Sequence, residues 1–189
     1  MNLIVKFAAM LSRRYLIAVL FLPLLAFNSS KPYSEVGWMS FEEAVTLSKT
    51  EERKLFVDVY TDWCGWCKKM DSGTFSEARV SKYLSQSFYP VKLDAEQSGD
   101  IQFNDHTFKF IEQGRRGYHE LAAALLNGKM SYPSVVFLNE KFEIIMVLPG
   151  YREADEFLKI ARFVGDDHYL TTSWEDYSTA YDAEAANGE

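Results

Sequence analysis

The apolar positions of this chain change period several times, and each change marks an element. "FEEAVTLSK" (41–49) sets Phe41, Ala44, Val45 and Leu47 on one helical stripe, and Ser40 with Glu43 spells a capping box at its start. "KLFVDVY" (54–60) is, after Lys54, an apolar, β-rich run with the single Asp58 inside it, the pattern of a strand buried on both faces of a sheet. Helical character returns in "CKKMDSGTF" (67–75) and again in "SEARVSKYLSQS" (76–87), and "FYPVKLDAE" (88–96) reads as a second strand. In residues 99–117, Ile101, Phe103, Phe108 and Phe110 alternate around Asn104-Asp105, which predicts one β-hairpin. "YHELAAALLNGK" (118–129) predicts a helix stopped at Asn127-Gly128. "SVVFL" (134–138) and "EIIMVL" (143–148) predict strands joined by a tight turn, followed by a helix from Glu153 to about Val164. Beyond it, the pattern supports one short helix around Trp174 and then a disordered end.

Strands and helices interleaved as β-α-β-α-β-β-α predict an α/β fold, a mixed central sheet with helices on both faces. The expected organisation is a single domain over residues 29–189, with a core at about 38–164. An inserted hairpin and helix at about 99–131 precede Pro133, and an extension occupies 165–189.

The N-terminus changes that picture. Lys6, Arg13 and Arg14 precede the uncharged run "YLIAVLFLPLLAF" (15–27), and small polar residues follow at Asn28, Ser29 and Ser30. This order is that of a secretory signal peptide over residues 1–28, and the run is short of the ~20 residues of a spanning helix. The expected location is therefore outside the cytoplasm, in the periplasm, with membrane tethering if the leader is retained. Loss of the leader takes the formal charge from −7 to −10, which argues against nucleic acid as a partner, because its phosphates would be repelled.

All the cysteine chemistry lies in "TDWCGWCKKM" (61–70), which holds both cysteines of the chain. A bridge between Cys64 and Cys67 closes too short a loop to contribute much stability. A zinc site needs two further ligands, and His106, His119 and His168 show no ligand spacing, so no metal is expected. His119, alone in "YHELA", reads as structural. The segment leaves a strand and enters a helix, whose unpaired N–H groups and dipole stabilise a thiolate at Cys64. Lys68 and Lys69 add positive charge. Cys67, one turn on, faces the same side and can resolve a mixed disulfide. Asp58 is costly in an apolar strand unless paired or protonated, so its pKa should be raised, which suits it to take a proton from Cys67.

Three stretches, "FVDVYTDWCGWCKKM", "FYPVKLDAE" and "SYPSVVFLNE", resemble the thioredoxin-fold family. More specifically, they look like exported thioredoxin-like proteins that include the periplasmic C-terminal domain of the DsbD electron transporter. The resemblance covers about Trp38 to Phe163 and implies a thioredoxin-like fold. It also implies thiol–disulfide exchange without a dissolved cofactor, with disulfide-bearing proteins as substrates and a membrane electron donor. Cys64 and Cys67 would be nucleophile and resolving cysteine, Asp58 the buried acid and Lys92 the lysine beside it. Pro133 would be the cis-proline, freeing the backbone of Tyr132 to pair with a substrate strand, while Trp63 covers the edge of the site and Trp66 contributes to the substrate face. Gly65-Trp66 departs from the Gly-Pro of many thioredoxins, so reductase, oxidase and isomerase all remain open, with reductase favoured. A partner-binding module with a non-cycling cysteine pair is the alternative.

Overall fold

A computed structural model describes residues 35–187. The signal-peptide expectation for 1–28 lies outside them. Helix α1 (Phe41–Ser48) carries the capping box, with the Glu43 N–H donating to Ser40 Oγ and the Ser40 N–H donating to Glu43 Oε2. Strand β1 (Leu55–Tyr60) leads into α2 (Gly65–Met70), whose axis continues as a π-helical turn over Asp71–Phe75. Helix α3 (Ala78–Ser87) and strand β2 (Tyr89–Asp94) follow.

The single hairpin expected at 99–117 is two. Strands β3 (Ile101–Phe103) and β4 (His106–Phe108) turn at Asn104-Asp105, both left-handed, while β5 (Phe110–Gln113) and β6 (Arg116–His119) turn at left-handed Gly114. The predicted helix at 118–129 is correspondingly shorter. Tyr118 and His119 complete β6, and α4 (Glu120–Leu125) starts after His119, whose Nδ1 accepts the Leu121 N–H as its cap. Strands β7 (Ser134–Leu138) and β8 (Ile144–Pro149) precede α5 (Ala154–Gly165), a 3₁₀ turn at His168–Leu170 and α6 (Trp174–Asn187). The last helix corrects the disordered end. Trp174 and Tyr177 stack on Phe163 of α5, and Lys159 pairs with Asp182, so tertiary contacts order a segment of weak amphipathicity.

The main sheet has the order β2-β1-β7-β8, with β1 parallel to β2 and antiparallel to β7. Alternation along β1 divides the core between the two faces. Phe56 joins Met70, Phe75, Leu84 and Phe157 under α2, α3 and α5, whereas Leu55, Val57 and Val59 join Phe41, Leu121 and Leu125 under α1 and α4. Phe56 anchors the first face, with five aromatic rings centred 5.4–6.5 Å from its own. Asp58, two residues on, points to that same face, beneath α2. Among the described residues no helix is long and apolar enough to cross a membrane.

Candidate active site

Cys64 is the N-cap of α2 and is joined to Cys67 in a disulfide with an S–S distance of 2.06 Å. The Cys67 N–H donates to Cys64 Sγ at 3.0 Å, and the Cys64 N–H donates to the Thr61 carbonyl, fixing the entry from β1. The helix start thus directs its free N–H groups at the first sulfur, where negative charge is favoured. Both sulfur residues are largely covered, Cys64 at 5% and Cys67 at 2% exposure, while the flanking tryptophans stand out at 52% for Trp63 and 57% for Trp66.

Parallel register sets Lys92 of β2 directly beside Asp58 of β1. Lys92 Nζ lies 2.5 Å from Asp58 Oδ2 and also bonds Asp71, at the start of the π-turn. Burial drives the Asp58 carboxyl up to about 6, against the attraction of Lys92, and the charge of Asp71 adds to the rise. Burial opposes the Lys92 ammonium, but Asp58 and Asp71 together hold its pKa above the usual lysine value. The lysine is also ringed by Trp38, Tyr60 and Phe75. A pocket of about 470 Å³, lined by Glu35, Val36, Trp38, Asp71, Phe75, Ser76 and Lys92, opens onto this cluster. Asp58 Oδ1 and Thr61 Oγ1 are buried without a hydrogen-bond partner among the described residues.

The Tyr132–Pro133 bond is cis. Ser134 pairs with Val59, so Pro133 lies at the carboxyl end of β1, where the cysteine segment begins. The Pro133 carbonyl accepts from the Gly150 N–H at 2.8 Å, which brings Tyr151 into the neighbourhood. Neither backbone group of Tyr132 has a hydrogen-bond partner among the described residues. Its ring lies edge-on to Trp63, with centroids 6.0 Å apart. Burial, then the charges of Glu96 and Asp94, push its phenol up to about 12.

Residues 25–153 match the family model described as Thioredox_DsbH, protein of unknown function, DUF255. The chain belongs to this Thioredox_DsbH family. It is 32% identical over 81 residues to an uncharacterized protein of Archaeoglobus fulgidus, covering 42% of this chain and 64% of that one. It is 23% identical over 140 residues to the thiol:disulfide interchange protein DsbD of Actinobacillus pleuropneumoniae, covering 69% of this chain and 21% of DsbD. The chain thus spans less than two thirds of either of these curated relatives. A thioredoxin-fold protein from Helicobacter pylori superposes with a TM-score of 0.54 at 18% identity, over 80% of this chain and 88% of that one. Its fold is the thioredoxin fold, as the resemblance implied.

The structure brings Cys64, Cys67, Trp63, Trp66, Tyr132 and Pro133 to one end of the sheet, with Asp58 and Lys92 on the face beneath α2. Sequence reasoning missed Asp71, Glu96 and Tyr151, and had Arg116 only as part of the insertion before Pro133 that could shape a partner groove. Asp71 falls one helical turn after Cys67 and reaches Lys92, a position that only the continuation past α2 reveals. Arg116 reaches Trp63 only because the second hairpin exists. His119 is the structural residue expected, with Nε2 3.0 Å from the Gly99 carbonyl.

Proposed function

We propose that this chain is an exported thiol–disulfide oxidoreductase that reduces disulfides in partner proteins and is recharged by a dithiol donor in the membrane. The observation that carries this reading is the Cys64–Cys67 pair at the start of α2, four residues beyond the end of β1, whose buried Asp58 pairs with Lys92 of β2. The similarity to DsbD favours the reducing direction. The apolar stretch at 15–27 favours export.

In the reduced protein, the Cys64 thiolate attacks one sulfur of a partner disulfide. That S–S bond breaks, and the other partner sulfur leaves as a thiolate that takes a proton from solvent. Cys67 passes its proton to Asp58 and attacks Cys64 Sγ in the mixed disulfide, releasing the second partner sulfur. Two electrons have then moved to the partner, and the Cys64–Cys67 disulfide remains. Lys92 keeps Asp58 able to ionise despite its burial. The unpaired backbone of Tyr132, presented beside cis-Pro133, pairs with an extended partner segment.

Equilibration of the pair in graded thiol buffers tests the reading. A potential near thioredoxin's ~−270 mV supports a reductase, whereas one near DsbA's ~−120 mV reverses the direction. A pair that does not exchange overturns the enzyme reading in favour of a binding module.

A further inference from the structure

Two aromatic–cation stacks flank the sulfur pair, and no step of the exchange passes a sulfur or a proton through either. Trp63 precedes Cys64. Against its ring lies Arg116 of the inserted β5–β6 hairpin, with the guanidinium carbon 4.3 Å from the centroid, and Tyr132 closes on the same indole. Trp66 precedes Cys67. Lys69 Nζ lies 5.0 Å from its centroid and 4.7 Å from that of Tyr151, and those two rings are 5.3 Å apart.

These two cations are not neutralised at contact distance, as some others in the fold are. Lys54, Lys92, Lys159 and Arg79 each meet carboxylates at 3.1 Å or less. Lys69 has no carboxylate partner among the described residues, and Arg116 meets only Glu96, at 4.0 Å. The same Glu96 oxygen already accepts the Trp63 indole N–H at 3.0 Å. Arg116 makes no side-chain hydrogen bond among the described residues, and an exposed ion pair at its long separation contributes little. A chain of formal charge −7 therefore holds, beside its reactive pair, two cations backed by aromatic faces with donors to spare. The hairpin is shaped for this. A Cβ on Gly117 would collide with the Phe110 ring and the Ile111 carbonyl, so the strand pairing that holds Arg116 needs glycine there.

We propose that Arg116 and Lys69 are specificity-determining residues that select partner segments carrying carboxylates next to the cysteine to be reduced. The occupant is an extended acidic peptide lying along Tyr132, with Trp63 and Trp66 packing beside it. This rests on the oxidoreductase reading above and narrows its substrate class.

The test uses the full chain, reduced with dithiothreitol and desalted. Rates of exchange are measured with three synthetic disulfide-linked peptides that differ only in carrying Asp, Asn or Lys on both sides of cysteine. At low ionic strength the Asp peptide should react about tenfold faster than the Lys peptide, a ratio that falls toward one as salt screens the charges. In the R116Q/K69Q variant the ratio should be near one at every salt concentration. Being a ratio within one protein, it is insensitive to a partial loss of activity. Equal rates for the Asp and Lys peptides in the unmodified chain overturn the proposal, as does an unchanged ratio in the variant. Absence of exchange with all three peptides overturns the oxidoreductase reading itself.

Discussion

Asp58 should destabilise the protein whenever it is ionised, and Asp58→Asn isolates that effect. Burial raises its carboxyl from the ordinary 3.8 to about 6. At ~1.4 kcal/mol per pKa unit, burying the charged form costs about 3 kcal/mol more than burying the neutral one. Between those two values the folded protein binds more protons than the unfolded chain. Stability is therefore fully present below about pH 4 and is lost as pH rises through about 6. The asparagine variant never ionises, so its advantage should grow by about 3 kcal/mol between pH 4 and pH 8. A hydrogen-bonding penalty from the new amide shifts both ends equally and cancels in that difference. Urea unfolding of the oxidised protein at several pH values measures it directly. In thermal melts the divergence should reach roughly 6–12 °C for a domain of this size. Parallel stability curves across this range would refute the reasoning, because Asp58 would then not be the group that titrates.

Two further perturbations read the packing. Gly165→Ala should destabilise by about 1–3 kcal/mol in denaturant unfolding, because its Cβ would strike Tyr83 Oη and come within 3.0 Å of Phe88; adding Tyr83→Phe should recover part of the loss, and a stabilised single variant would contradict it. Lys54 is buried beneath half-exposed Glu140 and Asp167, at 3.1 and 2.8 Å, so removing the lysine and removing its partners should differ. Lys54→Met should change unfolding by under about 1 kcal/mol, since the released carboxylates rehydrate, whereas E140Q/D167N strands the ammonium and should cost about 1–3 kcal/mol; the reverse order would show that the carboxylates carry the burden.

The main sheet and the reactive segment were legible because β1, β2 and β7 are short, apolar and bounded by clear turn and cap signals. Asp58 stood out as the lone charge in such a strand, and only the family resemblance placed Lys92 near it, where the parallel register sets it. The second hairpin was obscured because "FIEQGRRGYH" (110–119) lacks alternation and Phe110 was absorbed into the first. Gly114 and Gly117, one at a left-handed turn and the other under an aromatic ring, were the available signals. Helix α6 owes its order to Phe163 and Lys159 on another element, a dependence that no local pattern expresses. Asp71 was missed for a related reason, since its partner Lys92 is distant in sequence.

The two hairpins leave and return at nearly one point. The His119 N–H donates to the Ala95 carbonyl at 2.7 Å, and within 96–118 only Ile101 is buried. Residues 96–118 are thus a detour whose ends are already clasped, and doubling the length of a flexible detour costs only about 0.6 kcal/mol in closure entropy. Such a segment can be lengthened, trimmed or exchanged between relatives while the strands that carry the sulfur pair stay in register. The share of partner choice that Arg116 carries would then be heritable separately from electron transfer, and grafting this detour onto another member of the fold would transplant that share without touching the sulfur pair.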